Sequence, residues 1–197
     1  MKKLIIPLVV ICVLLCVLLA WGGAERPKQP PQPTQEAAPE TQQTAAEAAE
    51  EAFEYDTYGT VNLDAEDMDF QPFAIADQTG AKLVLLNFWE PWCGPCVREM
   101  PDLQKLQEAY KDKGLLVIGV YSAFNQDSEV KKLVAEKGIT YPILRCNDHL
   151  ARLQQDYVPA SYFADTAGNL LSAEPIVGAQ SYEQWESMVQ DYLNKIQ

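Results

Sequence analysis

The chain has 197 residues, 28 acidic against 15 basic side chains, a formal net charge of −13 and five cysteines. A length of this order holds one domain of ordinary size plus extensions. The acidity argues against nucleic acid as a partner, because phosphates call for a basic face.

The N-terminus reads first as an address. Lys2 and Lys3 precede an unbroken apolar run from Leu4 to Trp21, 18 residues long. The lysines stay on the cytoplasmic side, which leaves everything after Trp21 outside. The run is near the minimum that spans a bilayer, about 17 residues, so residues 1–23 are read as an uncleaved signal-anchor. Gly22-Gly23-Ala24 offers the alternative of a cleavage site. Cys12 and Cys16 are read as small apolar residues of the span.

Residues 24–58 hold five of the 13 prolines, eight acidic residues and two basic ones, a net of −6. Large apolar residues are absent until Phe53. Such a segment buries too little apolar surface to order itself, and it is read as an acidic linker. A short helix at 45–54 is marginal alone. The folded domain is assigned to 59–197, with its apolar pattern starting near Asp67.

Within the domain, Asp77-Gln-Thr-Gly80 is a turn. Leu83 to Phe88 is a buried central strand. A helix follows from Cys93 to about Asp112, ended by Gly114. Leu115 to Tyr121 is the next buried strand. Asp127 or Ser128 caps a helix that Gly138 ends. Tyr141 to Leu144 is a short strand, and His149 to Asp156 a short helix. Ser161–Ala164 and Leu170–Pro175 pair around the turn 166–169. Ser181 caps a closing amphipathic helix through Ile196. The order predicts an α/β fold with a mixed central sheet flanked by helices.

The chemistry concentrates at Phe88-Trp-Glu-Pro-Trp-Cys-Gly-Pro-Cys96. The free N–H groups and positive end of a helix stabilise an anion at its start. Cys93 at that place is deprotonated more easily, and the thiolate is the reactive form. Cys96, one turn later, can attack any mixed disulfide that Cys93 makes. Cys93 is therefore the candidate nucleophile and Cys96 the resolving thiol. The rival is a zinc site, with Cys146 and His149 completing a Cys3His set; the directly following helix and the crowding Trp89 and Trp92 favour redox use. Trp89 is assigned to packing, Trp92 to partner contact, Glu90 to a solvated loop with a second proton-transfer group as the alternative, and His149 to the surface. Cys146 is read as a buried thiol, with a third redox thiol as the alternative.

Trp92-Cys-Gly-Pro-Cys96, with Pro101 five residues on and Val158-Pro159 downstream, resembles the thioredoxin superfamily. Asn87-Phe-Trp89 and Arg98-Glu-Met-Pro101 resemble its membrane-anchored TlpA/ResA-type branch; cytosolic thioredoxins carry a buried Asp where this chain has Asn87. The resemblance covers about 67–197 and places the helix and strand at 128–144 as the insertion of that branch. It implies a cis peptide at Pro159, whose loop faces the dithiol and leaves Val158 open to pair with an extended substrate. It implies that Glu99 moves the proton of Cys96. Trp92, Gly94, Pro95, Val158 and Pro159 are then the candidate substrate-binding residues. The implied activity is protein disulfide reduction outside the cytoplasm, with electrons from a transmembrane thiol donor of the CcdA/DsbD kind. No cofactor or metal is expected, and the domain is expected to be a monomer anchored to the membrane by its N-terminal helix. Two other readings stand beside it: a thiol peroxidase on the same fold, and a metal-binding or copper-delivery domain.

Overall fold

The computed structural model describes residues 58–196. The segments read as signal-anchor and linker lie outside the described residues, apart from Tyr58. No helix among the described residues is long and apolar enough to cross a membrane.

A largely apolar run suits a strand covered on both faces. The two such runs of the domain, Leu83–Phe88 and Leu115–Tyr121, are buried at every residue. They form β3 and β4, after a small antiparallel pair, β1 (Ala65–Glu66) and β2 (Pro72–Phe73). Three further strands follow: β5 (Ile143–Arg145), β6 (Ala160–Asp165) and β7 (Ile176–Val177). The five-stranded sheet has the order β5-β4-β3-β6-β7. Its β3, β4 and β5 are parallel, while β6 runs against β3 and β7 against β6.

Three helices accompany the sheet: α1 (Gly94–Tyr110), α2 (Asp127–Lys137) and α3 (Tyr182–Lys195). Alternate residues of β3 enter different cores, as the strand period of two requires. Leu83 and Leu85 pack with Met100, Leu103 and Leu106 of α1 and with Trp185 and Val189 of α3. Val84, Leu86 and Phe88 pack with Leu63, Leu150 and Leu170. The result is a thioredoxin fold, with α2 and β5 where the resemblance placed the extra helix and strand. α1 continues through Pro101, and Gly114 closes the turn after it in the left-handed region at φ 104°. Ser181 and Gln184 form a reciprocal capping box at the start of α3.

Four local expectations change. α2 begins at Asp127 without a side-chain cap; the Asp127 carboxylate is instead held by the Tyr121 hydroxyl and the Arg145 guanidinium. The expected helix at 149–156 is only a 3-10 turn, Leu150–Arg152. Asn147 sets that turn, since its side-chain oxygen accepts from the N–H groups of His149 and Leu150. The partner of β6 is not a strand over 170–175: only Leu170 bridges to Ala164, and regular pairing waits until Ile176. Pro175 lacks the N–H that a ladder needs.

The packed chain also starts earlier than Asp67. Val61 and Leu63 are buried. Tyr58 N–H donates to the Leu170 carbonyl, Leu170 N–H to Gly59, and Val61 N–H to Gly168. Gly168 sits at φ 83°, and a Cβ built on it would lie 2.0 Å from the Val61 carbonyl oxygen. That close approach needs glycine. Gly168→Ala is expected to cost about 1–3 kcal/mol, the range for such backbone strain, read as a lower urea midpoint; an unchanged midpoint would show that the 58–63 segment is not held there.

Candidate active site

β3 ends at Phe88, and four residues carry the chain to Cys93 at the start of α1. This loop is pinned by backbone bonds. Trp89 N–H donates to the Val120 carbonyl and Cys93 N–H to the Glu90 carbonyl. Cys93 is the N-cap of α1, and its sulfur accepts the Cys96 N–H at 3.2 Å. It thus stands where the unpaired N–H groups and the helix dipole favour a negative charge. Cys93 and Cys96 are joined as a disulfide. Both are nearly covered, at 5% and 2% exposed, whereas Trp92 beside them is 66% exposed.

The second wall comes from β6. Its antiparallel register pairs Ala160 with Phe88, so the residues just before Ala160 face the residues just after Phe88. The Val158-Pro159 peptide bond is cis, as the resemblance implies. The Val158 carbonyl oxygen lies 3.5 Å from the Cys93 sulfur. Cys93, Cys96, Val158 and Pro159 therefore meet in space from two distant stretches of chain, with Trp92 at the edge. Gly94 and Pro95 are exposed at the tip of the helix.

Glu99 is on the first full turn behind the dithiol and is buried. The Trp185 indole N–H donates to its Oε1 at 2.6 Å. Its Oε2 has no hydrogen-bond partner. Burial pushes the carboxyl up to about 7; the Trp185 bond and the nearby Gln180 backbone amide oppose the shift, and the Asp102 charge adds to it. A carboxyl in this state exchanges protons near neutrality, which suits a general acid or base. Trp185 is 86 residues away in sequence, and nothing local marked it as the partner.

Glu90 is the largest departure. It is buried, not solvated. Its carboxylate accepts the Ser122 N–H at 2.8 Å, the Ser122 hydroxyl, and the Ala123 N–H at 3.0 Å. These bonds tie the active-site loop to the end of β4. A run of aromatic and proline neighbours gave no hint that the loop folds inward over two backbone donors.

Cys146 follows β5, which is parallel to β4 and β3, so it emerges at the active-site end of the sheet. It is half-buried rather than buried. Its sulfur lies 3.8 Å from the Asn147 carbonyl and from the Gln154 side-chain oxygen. Burial pushes its thiol up to about 11, helped by the charges of Glu90 and Asp148, which opposes the thiolate that a third redox thiol needs. His149 is exposed. Among the described residues, no group of three or more His, Cys, Asp and Glu side chains is arranged to hold a metal ion.

Glu99 has a consequence for stability. Its folded carboxyl keeps the proton to about pH 7, against 4.5 for the ordinary group. The native state binds the extra proton between these values, so its stability is complete below pH 4.5 and falls as pH rises through 7. The loss amounts to about 3 kcal/mol at 1.36 kcal/mol per tenfold change in proton affinity. Glu99→Gln is expected to remove this component, read by urea unfolding of the oxidised domain at pH 5 and pH 8. Equal pH dependence in both proteins would contradict the assignment.

Comparison with known proteins agrees with this geometry. The family model described as AhpC/TSA matches residues 58–170. The thiol-disulfide oxidoreductase ResA of Bacillus thuringiensis (strain Al Hakam) is 34% identical over 139 residues, covering 68% of this chain and 75% of that one. Protein DipZ of Mycobacterium tuberculosis is 35% identical over 119 residues, 57% of this chain but 17% of DipZ. A thioredoxin-family thiol:disulfide interchange protein from Chlorobium tepidum TLS superposes with a TM-score of 0.62 at 26% identity, covering 71% of this chain and 99% of that one. The chain belongs to the AhpC/TSA family, among its thioredoxin-fold thiol–disulfide oxidoreductases.

Proposed function

We propose that this protein is a membrane-tethered reductant of disulfides in exported proteins, with its dithiol domain outside the cytoplasm and a role like that in cytochrome c maturation. One observation carries the reading: a cysteine pair at a helix start, its outer sulfur 3.5 Å from the Val158 carbonyl of a cis-proline loop. The Gly94-Pro95 dipeptide and the ResA-type relatives support reduction over oxidation. The tether rests on Lys2 to Trp21.

The chemistry follows from the arrangement. In the reduced protein the Cys93 thiolate attacks one sulfur of a substrate disulfide, and the other substrate sulfur leaves as a thiolate. The substrate backbone pairs with Val158 as an added strand, while Trp92, Gly94, Pro95 and Pro159 border it. Glu99 then takes the Cys96 proton. The Cys96 thiolate attacks the Cys93 sulfur, and the second substrate sulfur leaves and is protonated. Two electrons have moved, and the Cys93–Cys96 disulfide remains. A transmembrane thiol donor of the CcdA/DsbD kind returns the electrons by the same exchange in reverse.

Two measurements test this. Cys96→Ser in the native host is expected to strand substrates as mixed disulfides on Cys93, whereas Cys93→Ser captures little; the reverse pattern would exchange the two roles. The reduction potential of the dithiol is expected near that of thioredoxin, about −270 mV, and a value near about −120 mV would make the protein an oxidant.

A further inference from the structure

The two oxygens of the Glu99 carboxyl have unequal surroundings. Oε1 accepts the Trp185 indole N–H at 2.6 Å, whereas Oε2 has no hydrogen-bond partner. An indole N–H donates and never accepts. It therefore selects an oxygen that carries no proton. In the neutral carboxyl that oxygen is Oε1, and the proton is left on Oε2.

Trp185 is fixed well enough to make that choice. Its side chain is fully buried. The capping box of Ser181 and Gln184 starts α3 just ahead of it, and its backbone N–H donates to the Ser181 carbonyl. Its ring meets Phe163 edge to face with centroids 6.3 Å apart, and Phe163 lies in turn against Tyr192 at 4.3 Å. Phe163 belongs to β6, the strand that follows the cis peptide of Pro159. One indole thus joins β6 and α3 to a carboxyl on α1. The other groups near Glu99 do not distinguish its oxygens by charge. Asp102 on α1 adds a like charge, and Gln180 offers a backbone amide. Burial pushes the Tyr141 hydroxyl up and the Glu99 charge adds to the shift, so that hydroxyl stays neutral. None of the ion pairs among the described residues involves Glu99.

We propose that Trp185 is a positioning residue for the second exchange step: by occupying Oε1 it reserves Oε2 as the oxygen through which Glu99 takes and returns the Cys96 proton. The inference rests on the reading of Glu99 as the proton acceptor of Cys96, and it adds the residue that decides which oxygen acts. Its effect falls on the Cys96 step alone, because attack by the Cys93 thiolate takes no proton from Glu99.

The test separates the two steps with a small chromogenic substrate, bis(carboxynitrophenyl) disulfide. The full chain is used in detergent, reduced, with Cys12→Ser, Cys16→Ser and Cys146→Ser so that only the dithiol reacts. Cys93 attack releases the first nitrothiolate, and Cys96 attack on the Cys93 sulfur releases the second as the protein disulfide closes. The readout is the rate of the second phase relative to the first, followed against pH. In the parent protein the second phase is expected to rise with a midpoint at the Glu99 value, about 7. Trp185→Phe removes a bond that favours the charged carboxylate, so the midpoint is expected to move up. At pH 7 the second phase is expected to slow about tenfold, the worth of one hydrogen bond to a charged group, while the first changes less than about twofold. A benzothiophene analogue of tryptophan inserted at position 185 keeps the shape without the N–H; it is expected to act as Trp185→Phe does, and it decides if that variant fails to fold. Val189→Ala, in the same core, is expected to leave the ratio and the midpoint unchanged. An unchanged ratio without the N–H overturns the proposal, and so does an equal fall in Val189→Ala, because loosened packing then suffices. If Glu99→Gln leaves the second phase unaltered, the proton role of Glu99 falls and that of Trp185 with it; if Glu99→Gln slows it and removal of the N–H does not, the assignment of Trp185 alone falls.

Discussion

Cys93 caps α1 with its sulfur, which accepts the Cys96 N–H, and the site around it depends on holding that sulfur still. Three constraints meet there. The burial of β3 on both faces fixes where the loop begins. Glu90 fixes the middle of the loop through two backbone donors of residues 122 and 123. The register of β6 against β3, with Ala160 opposite Phe88, brings the Val158 carbonyl to the sulfur. Each constraint comes from a different part of the chain, so the thiol environment reports on the whole sheet.

The site departs from what stability alone favours. A carboxyl buried at Glu99 with one oxygen unpaired lowers stability at neutral pH. A leucine there fills space without that penalty. Retaining a carboxyl, oriented by one indole N–H from α3, is sensible where a proton must leave and return close to the second thiol. Glu90 is a second buried acid in the same region, but three donors from Ser122 and Ala123 hold its carboxyl oxygens in place. Two acids of one composition thus have distinct surroundings, one nearly bare and one well bonded.

Much of this was legible beforehand, and the reasons are local. β3 and β4 are apolar runs with turn residues on either side, and α1 follows from a cysteine cap, a proline in its first turn and apolar spacing of three and four. Ser181 announced α3 because a serine just ahead of an amphipathic run is a cap signal, to which the structure adds the reciprocal bond from Gln184. What stayed hidden depends on contacts across the chain. Glu90 looked solvated because its partners, Ser122 and Ala123, are 32 and 33 residues on. Trp185 lies on an amphipathic helix, and its N–H reaches Glu99 across 86 residues of chain. Asp127 lost its capping role to Arg145, whose guanidinium also lies over the rings of Phe70 and Phe124. The start of packing at 58–63 was masked by polar residues, since only Val61 and Leu63 carry it.

The most direct test of Cys93 as the activated nucleophile is the pH dependence of alkylation in the fully reduced domain, with the modified residue identified by mass. The expected result is selective reaction at Cys93 with a midpoint well below about 8.5, the value of a free thiol. Reaction first at Cys96, or a midpoint at or above that of a free thiol, would contradict the account.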